Sequence, residues 1–295
     1  MVSDDKFVHV CNLYPYKGIR EFTEDLDYLL KHYVPIGLNH LLETIERNGK
    51  FGRRSFHLTF DDGFRELHDV VAPILIRKGV PATFFVNSAF TDNKALCYQH
   101  KASILTERAK EGFSGGAAEA MGEVMRQKGF GCADIISAIM SVPYDKKDML
   151  DELAVFMEVD FDRYLAKQRP YLDSPQIRYL IGQGFSIGSH SIDHPLYANI
   201  SFEEQMRQTV ESTSWVREKY GLNYGAFAFP HTDRHVEERF FLEIQASKQV
   251  DISFGTDGMI NGKLSRHLQR FSLEKPVLPA EKIIAMQYAR NLWRG

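Results

Sequence analysis

Two short stretches carry the residues most able to do chemistry. "FHLTFDDGF" (56–64) runs an apolar segment into adjacent carboxylates, Asp61 and Asp62, followed by Gly63. "GFSIGSHSIDHPLY" (184–197) places His190 at the end of a second apolar segment and His194 four residues later. Two imidazoles one helical turn apart can address a single ion, the geometric logic of i, i+4 metal pairs. Each stretch has a plainer reading as well. Asp and Gly mark ordinary turns, and a chain with 11 histidines produces an i, i+4 pair by chance fairly often. Two histidines alone do not hold a hydrolytic metal, which needs a third protein ligand and an open position for water or substrate. Asp61 or Asp62 answers that need, and the spare carboxylate is then available as a base.

The elements that would position these groups follow from periodicity. "FVHVCNL" (7–13), "FHLTF" (56–60), "ATFFV" (82–86), "FSIGS" (185–189), "GAFAF" (225–229), "DISFG" (251–255) and "LQRFSL" (268–273) read as strands by length and by aromatic or β-branched content. Several are apolar on both faces, as buried parallel strands are. Helical spacing fills the gaps. The segment from 201 to 221 has a start signal in Ser201 with Glu204 and a stop at Gly221. Alternating strands and helices imply βα units around a mainly parallel sheet, which makes Asp61, Asp62 and His190 strand-end residues. Residues 92–181 show no convincing strand and read as a helical insertion within one domain spanning 1–295.

Composition narrows the setting. The chain has 295 residues, 44% of them hydrophobic, enough for a large core, and a net charge of -3, without the basic excess of a nucleic-acid binder. The opening "MVSDDKFVHV" has neither a basic n-region nor a long apolar run. No apolar stretch reaches the roughly 20 residues of a membrane span. Three scattered cysteines, Cys11, Cys97 and Cys132, suit a reducing compartment. A cytoplasmic location is therefore expected.

"TFDDG" followed by "HSIDH", both at strand ends, resembles the first two motifs of the NodB-homology polysaccharide deacetylases, carbohydrate esterase family 4. The resemblance spans about 56–273, with a helical stretch longer than in compact members. It implies a distorted (β/α) barrel, usually of seven units, and metal-dependent hydrolysis of acetyl groups on sugars. Carried over, Asp61 corresponds to the general base, and Asp62, His190 and His194 to the metal ligands. The expected ion is zinc, with cobalt, nickel, manganese or iron compatible with related ligand sets. The family's third motif aligns with "FAFPHT" (227–232), which gives Pro230 and a His231 backbone N–H facing the oxyanion. The motif's arginine is replaced by Ala228. Arg270 is the first candidate to hold Asp61 instead, with Arg234 and Arg266 behind it. For the general acid the resemblance offers His267, with His231 as competitor.

The expectation is a sugar or polysaccharide deacetylase acting on an N-acetylated amino sugar, an intracellular precursor of a surface polysaccharide. The rival readings are a deformylase or other C–N hydrolase on the same site, and a silent sugar-binding barrel.

Overall fold

The computed structural model describes residues 1–49, 54–112, 117–127, 129–130, 134–259 and 264–294. It divides into two compact units. One comprises 1–4, 16–92 and 170–295; the other comprises 5–15 and 93–169.

The first unit is built on a six-stranded, wholly parallel sheet in the order β3 (Leu58–Phe60), β4 (Ala82–Val86), β5 (Ser186–Ser189), β6 (Ala226–Ala228), β7 (Ile252–Gly255), β8 (His267–Gln269). A two-stranded parallel pair, β1 (Val34–Pro35) with β2 (Ser55–Phe56), stands apart. Five of the six main strands fall within the apolar runs; β8 is shorter and earlier than the run 268–273, which continues as irregular chain from Arg270. Phe84, Phe85, Phe227 and Phe254 are almost wholly buried, each contributing about 1.5–3 kcal/mol by leaving water. The sheet curls so that its edges approach: Arg270, just past β8, donates to Thr59 on β3 at 2.9 Å. This is the expected (β/α) architecture, with six strands in the sheet among the described residues.

Helices α1 (Ile19–His32), α2 (Leu38–Glu46), α3 (Ala72–Lys78), α9 (Ser174–Gly182), α10 (Phe202–Tyr220), α11 (Glu238–Ala246) and α12 (Ala280–Arg294) belong to the same unit. The segment before α3 opens as a single π-turn at Leu67–Val71, where Pro73 lacks the N–H of a regular turn. At α10, Ser201 Oγ accepts from Glu204 N and Gly221 closes the helix in the left-handed conformation. The Glu204 carboxylate turns instead to Arg207 and Gln208.

The second unit holds α4 (Tyr98–Lys110), α5 (Ala117–Gln127), α6 (Ile135–Met140), α7 (Met149–Phe156) and α8 (Phe161–Gln168) around Leu105, Met121, Met125, Ile139, Leu150 and Leu153. The segment 7–13 corrects the strand reading. It forms turns closed on itself, with Val10 and Cys11 donating to the Phe7 carbonyl, while Ser103 of α4 donates to the Val8 carbonyl. Local closure and helix side chains consume the groups a ladder would need. Of the helical stretch 92–181, α9 lies in the first unit. Cys11 and Cys97 are free thiols, and Cys132 lies outside the described residues. Among the described residues no helix is long and apolar enough to cross a membrane.

Candidate metal centre at the strand ends

Because the strands are parallel and in register, their C-terminal ends fall on one edge. Asp61 follows β3, Asn87 follows β4, His190 follows β5, Phe229 follows β6 and Arg270 follows β8. Close approach at this edge explains two glycines. A Cβ on Gly188 of β5 would lie 2.4 Å from the Phe85 ring, and Gly63 sits at φ +63 with Val86 3.1 Å from where its Cβ would be.

Asp62, His190 and His194 come together. The Asp62 Oδ1 lies 3.5 Å from His190 Nε2 and 3.2 Å from His194 Nε2, and the three donor atoms all fall within 4.8 Å of one another. A zinc ion with ligand bonds of about 2.0–2.2 Å separates tetrahedral donors by roughly 3.3–3.6 Å, so the set has the right span. The tautomer fits as well. His190 Nδ1 donates to the Ala228 carbonyl at 2.8 Å, which leaves Nε2 with its lone pair toward Asp62. Side-chain exposure rises from 2% at His190 to 13% at His194 and 24% at Asp62, leaving an open side for water and substrate. Burial works against a charge on His190, and the Asp61 and Asp62 carboxylates outweigh it, raising its pKa. The pocket is therefore negative and suited to a cation.

The backbone is strained here. Asp62 (φ 71), Ser191 (φ 68), His194 (φ 65) and His231 (φ 56) are all left-handed. Such residues cost about 1–3 kcal/mol each and concentrate at functional sites. Side chains hold the turn after β5: Ser191 Oγ accepts from His194 N at 3.0 Å, and Asn87 Nδ2 donates to the His190 carbonyl.

Arg270 grips Asp61 with both ends of its guanidinium, Nη1 to Oδ1 at 2.8 Å and Nη2 to Oδ2 at 2.9 Å. Its Nε donates to the Gly255 carbonyl at 3.3 Å. Burial favours the neutral acid at Asp61, but the Arg270 charge, then His190, hold its pKa below the usual carboxylate range. The carboxylate is thus kept ionised and oriented. Ala228, where the family's arginine would stand, is fully buried in β6, so the guanidinium arrives from β8 instead. Arg234 is engaged elsewhere, with Asp257.

Among the described contacts, the other expected site residues fall less simply. His231 follows Pro230 and packs its ring against His194, centroids 4.5 Å apart. One edge is open to solvent, yet loss of water on the packed side, then the His194 charge, push its pKa down to about 3. A group so readily deprotonated is a poor general acid at neutral pH. His267 is buried, with Nδ1 against Ser253 Oγ at 2.8 Å and Nε2 against Asp233 Oδ2 at 3.0 Å. With Gln269 Nε2, 3.0 Å from its Nε2, these are its described hydrogen-bond partners, rather than Asp61 or the Asp62–His190–His194 cluster. Asn87 and Thr59 escaped the sequence reading. Asn87 carries a positional signal, one residue past "ATFFV", whereas Thr59 has none beyond lying on a strand.

Residues 48–118 match the polysaccharide deacetylase family model. A sequence comparison with curated proteins returns no match. Three solved structures superpose over nearly the whole chain. The deacetylase PplD of Streptococcus pyogenes, in complex with acetate, has a TM-score of 0.62 at 14% identity, covering 97% of this chain and 94% of its own. The fold is the polysaccharide deacetylase fold. A de-N-acetylase from Aggregatibacter actinomycetemcomitans shares this deacetylase fold at TM-score 0.59 and 13% identity, covering 96% and 95%. IcaB from Ammonifex degensii does so at 0.56 and 15%, covering 91% and 88%. The family match includes Asp61 and Asp62; His190, His194 and Arg270 lie beyond it.

Proposed function

We propose that the protein is a metal-dependent hydrolase that removes the acetyl group from an N-acetylated amino sugar. The observation that carries the reading is an ionised, Arg270-clamped Asp61 beside the Asp62–His190–His194 donor set. Those three residues would hold a divalent ion, zinc being the first expectation for two imidazoles and a carboxylate. When bound, the ion supplies Lewis acidity toward the acetyl carbonyl and the attacking water.

The chain's own groups do the rest. Asp61 accepts the water proton as the new C–O bond forms. Arg270 keeps Asp61 charged and aimed, at a cost in basicity that an acidified water offsets. Pro230 and His231 form the turn whose backbone N–H the proposal sets opposite the developing oxyanion. The His190 Nδ1 bond to the Ala228 carbonyl fixes that ring through the reaction. As the C–N bond breaks, the proton taken by Asp61 is available to the leaving nitrogen, so protons balance without His267. The proposal carries with it a cytoplasmic location and a precursor sugar as substrate, which cell fractionation and a comparison of free, carrier-linked and polymeric sugars test directly.

The chemical test is acetate release from N-acetylglucosamine oligomers by the zinc-loaded protein beside Asp61→Asn. Release by the wild type and none by the variant supports the reading. Turnover of N-formyl but not N-acetyl sugars would move it to a deformylase, and no turnover of either would leave a binding protein.

A further inference from the structure

We propose that Gln208 on α10 is a positioning residue for the Asp62–His190–His194 donor set, an inference that rests on the metal-site reading above. Gln208 is fully buried. Its carboxamide oxygen accepts from the backbone N–H of Ile192 at 2.9 Å and of Asp193 at 3.3 Å. Its nitrogen donates to Asp193 Oδ1 at 2.6 Å and to Glu204 Oε1 at 2.9 Å. Two lone pairs and two hydrogens are all used, the full complement of an amide side chain.

The residues it reaches are the middle of the turn between the two histidines. That turn has left-handed backbone at both Ser191 and His194, and its N–H groups at 192 and 193 are bonded by Gln208 while that at 194 is bonded by Ser191. Side chains therefore hold a conformation the backbone would not choose by itself. Without Gln208 two part-buried donors lose their acceptor, and the turn relaxes toward ordinary φ values, moving His194 relative to His190. A carboxylate at 208 accepts but does not donate, and an aliphatic chain does neither. Outer-shell partners of metal ligands commonly govern affinity by about 10- to 100-fold.

Gln205 provides an internal control. It is a buried glutamine one turn earlier on α10, and its Nε2 donates to the carbonyls of Tyr197 at 2.7 Å and Ile200 at 3.4 Å, holding the next turn rather than 190–194. Gln208→Met and Gln205→Met thus remove equal side-chain chemistry from one helix, and only the first touches the histidine turn.

The experiment measures zinc affinity of the full chain by competition with a chromophoric chelator, the visible spectrum of the cobalt form, and thermal unfolding of the metal-free form. Gln208→Met is expected to bind zinc about 10- to 100-fold more weakly than wild type with an altered cobalt spectrum, and Gln205→Met within threefold of wild type. If Gln208→Met does not fold, Gln208→Leu and Gln205→Leu, which likewise neither accept nor donate, take the same comparison with the same expectation of sign. Wild-type affinity in the 208 variant, or an equal loss in the 205 variant, overturns the role of Gln208. A wild type that binds neither zinc nor cobalt refutes the metal centre itself.

Discussion

Replacing Arg270 with Met tests the clamp on Asp61. The change removes two charge-assisted hydrogen bonds of 2.8 and 2.9 Å to a carboxylate whose side chain is 29% exposed, from a guanidinium 16% exposed. Hydrogen bonds to charged groups contribute about 1.5–3 kcal/mol each. The two share one carboxylate, and partial water access softens the loss, so a total of roughly 2–4 kcal/mol is expected. That corresponds to a fall in melting temperature of about 4–8 °C for a chain of this size. The pH dependence has a definite sign. The folded pKa of Asp61 is depressed, so its stabilisation is fully present above the unfolded value of about 3.9 and fades as pH falls through the folded pKa. The gap between wild type and Arg270→Met should therefore be full at pH 7 and shrink below about pH 4. Activity should fall on the order of 100-fold, mostly in kcat, because Asp61 loses its aim. Arg270→Lys keeps the charge without the fork and should recover only part. Equal melting temperatures at pH 7, together with activity within twofold, would refute the clamp.

Three further outcomes follow from the same geometry. Gly188→Ala would press a Cβ to 2.4 Å from the Phe85 ring and 2.8 Å from the Ala226 carbonyl. A loss of about 1–3 kcal/mol in urea unfolding, with weakened zinc binding two residues on at His190, is expected. Asp173→Ala removes the capping box of α9, in which Asp173 and Gln176 each bond the other's backbone N–H at 3.0 Å. It should cost about 1 kcal/mol in chemical denaturation and leave metal binding unchanged. Zinc at 100 times its dissociation constant should stabilise the metal-free protein by about 2.7 kcal/mol, seen as a rise in melting temperature that a chelator reverses.

The sheet was readable because its strands are apolar runs ending in chemistry-bearing residues, as "FHLTF" ends in Asp61 and "FSIGS" in His190, and β4, β6 and β7 are buried at every position. The run "FVHVCNL" has the same composition and is no strand, because hydrophobicity records burial and not which partner supplies the hydrogen bonds. Asp62, His190 and His194 were visible through spacing at strand ends. Arg270 could be named only as a candidate, since nothing local to "LQRFSL" shows that the sheet curls far enough to bring its last strand beside its first. The partners of His267 were not legible either: a histidine near a strand end looks the same in sequence whatever it bonds, here Ser253, Asp233 and Gln269. Gln208 had no signature, because its role comes from packing α10 on the turn after β5.

The most direct test of the account is metal analysis of the purified wild type beside His190→Ala, Asp62→Ala and Asp61→Asn after incubation with zinc. The account predicts about one ion per chain in the wild type and in Asp61→Asn, and loss in the other two. Stoichiometric zinc retained by Asp62→Ala and His190→Ala at wild-type affinity would contradict it.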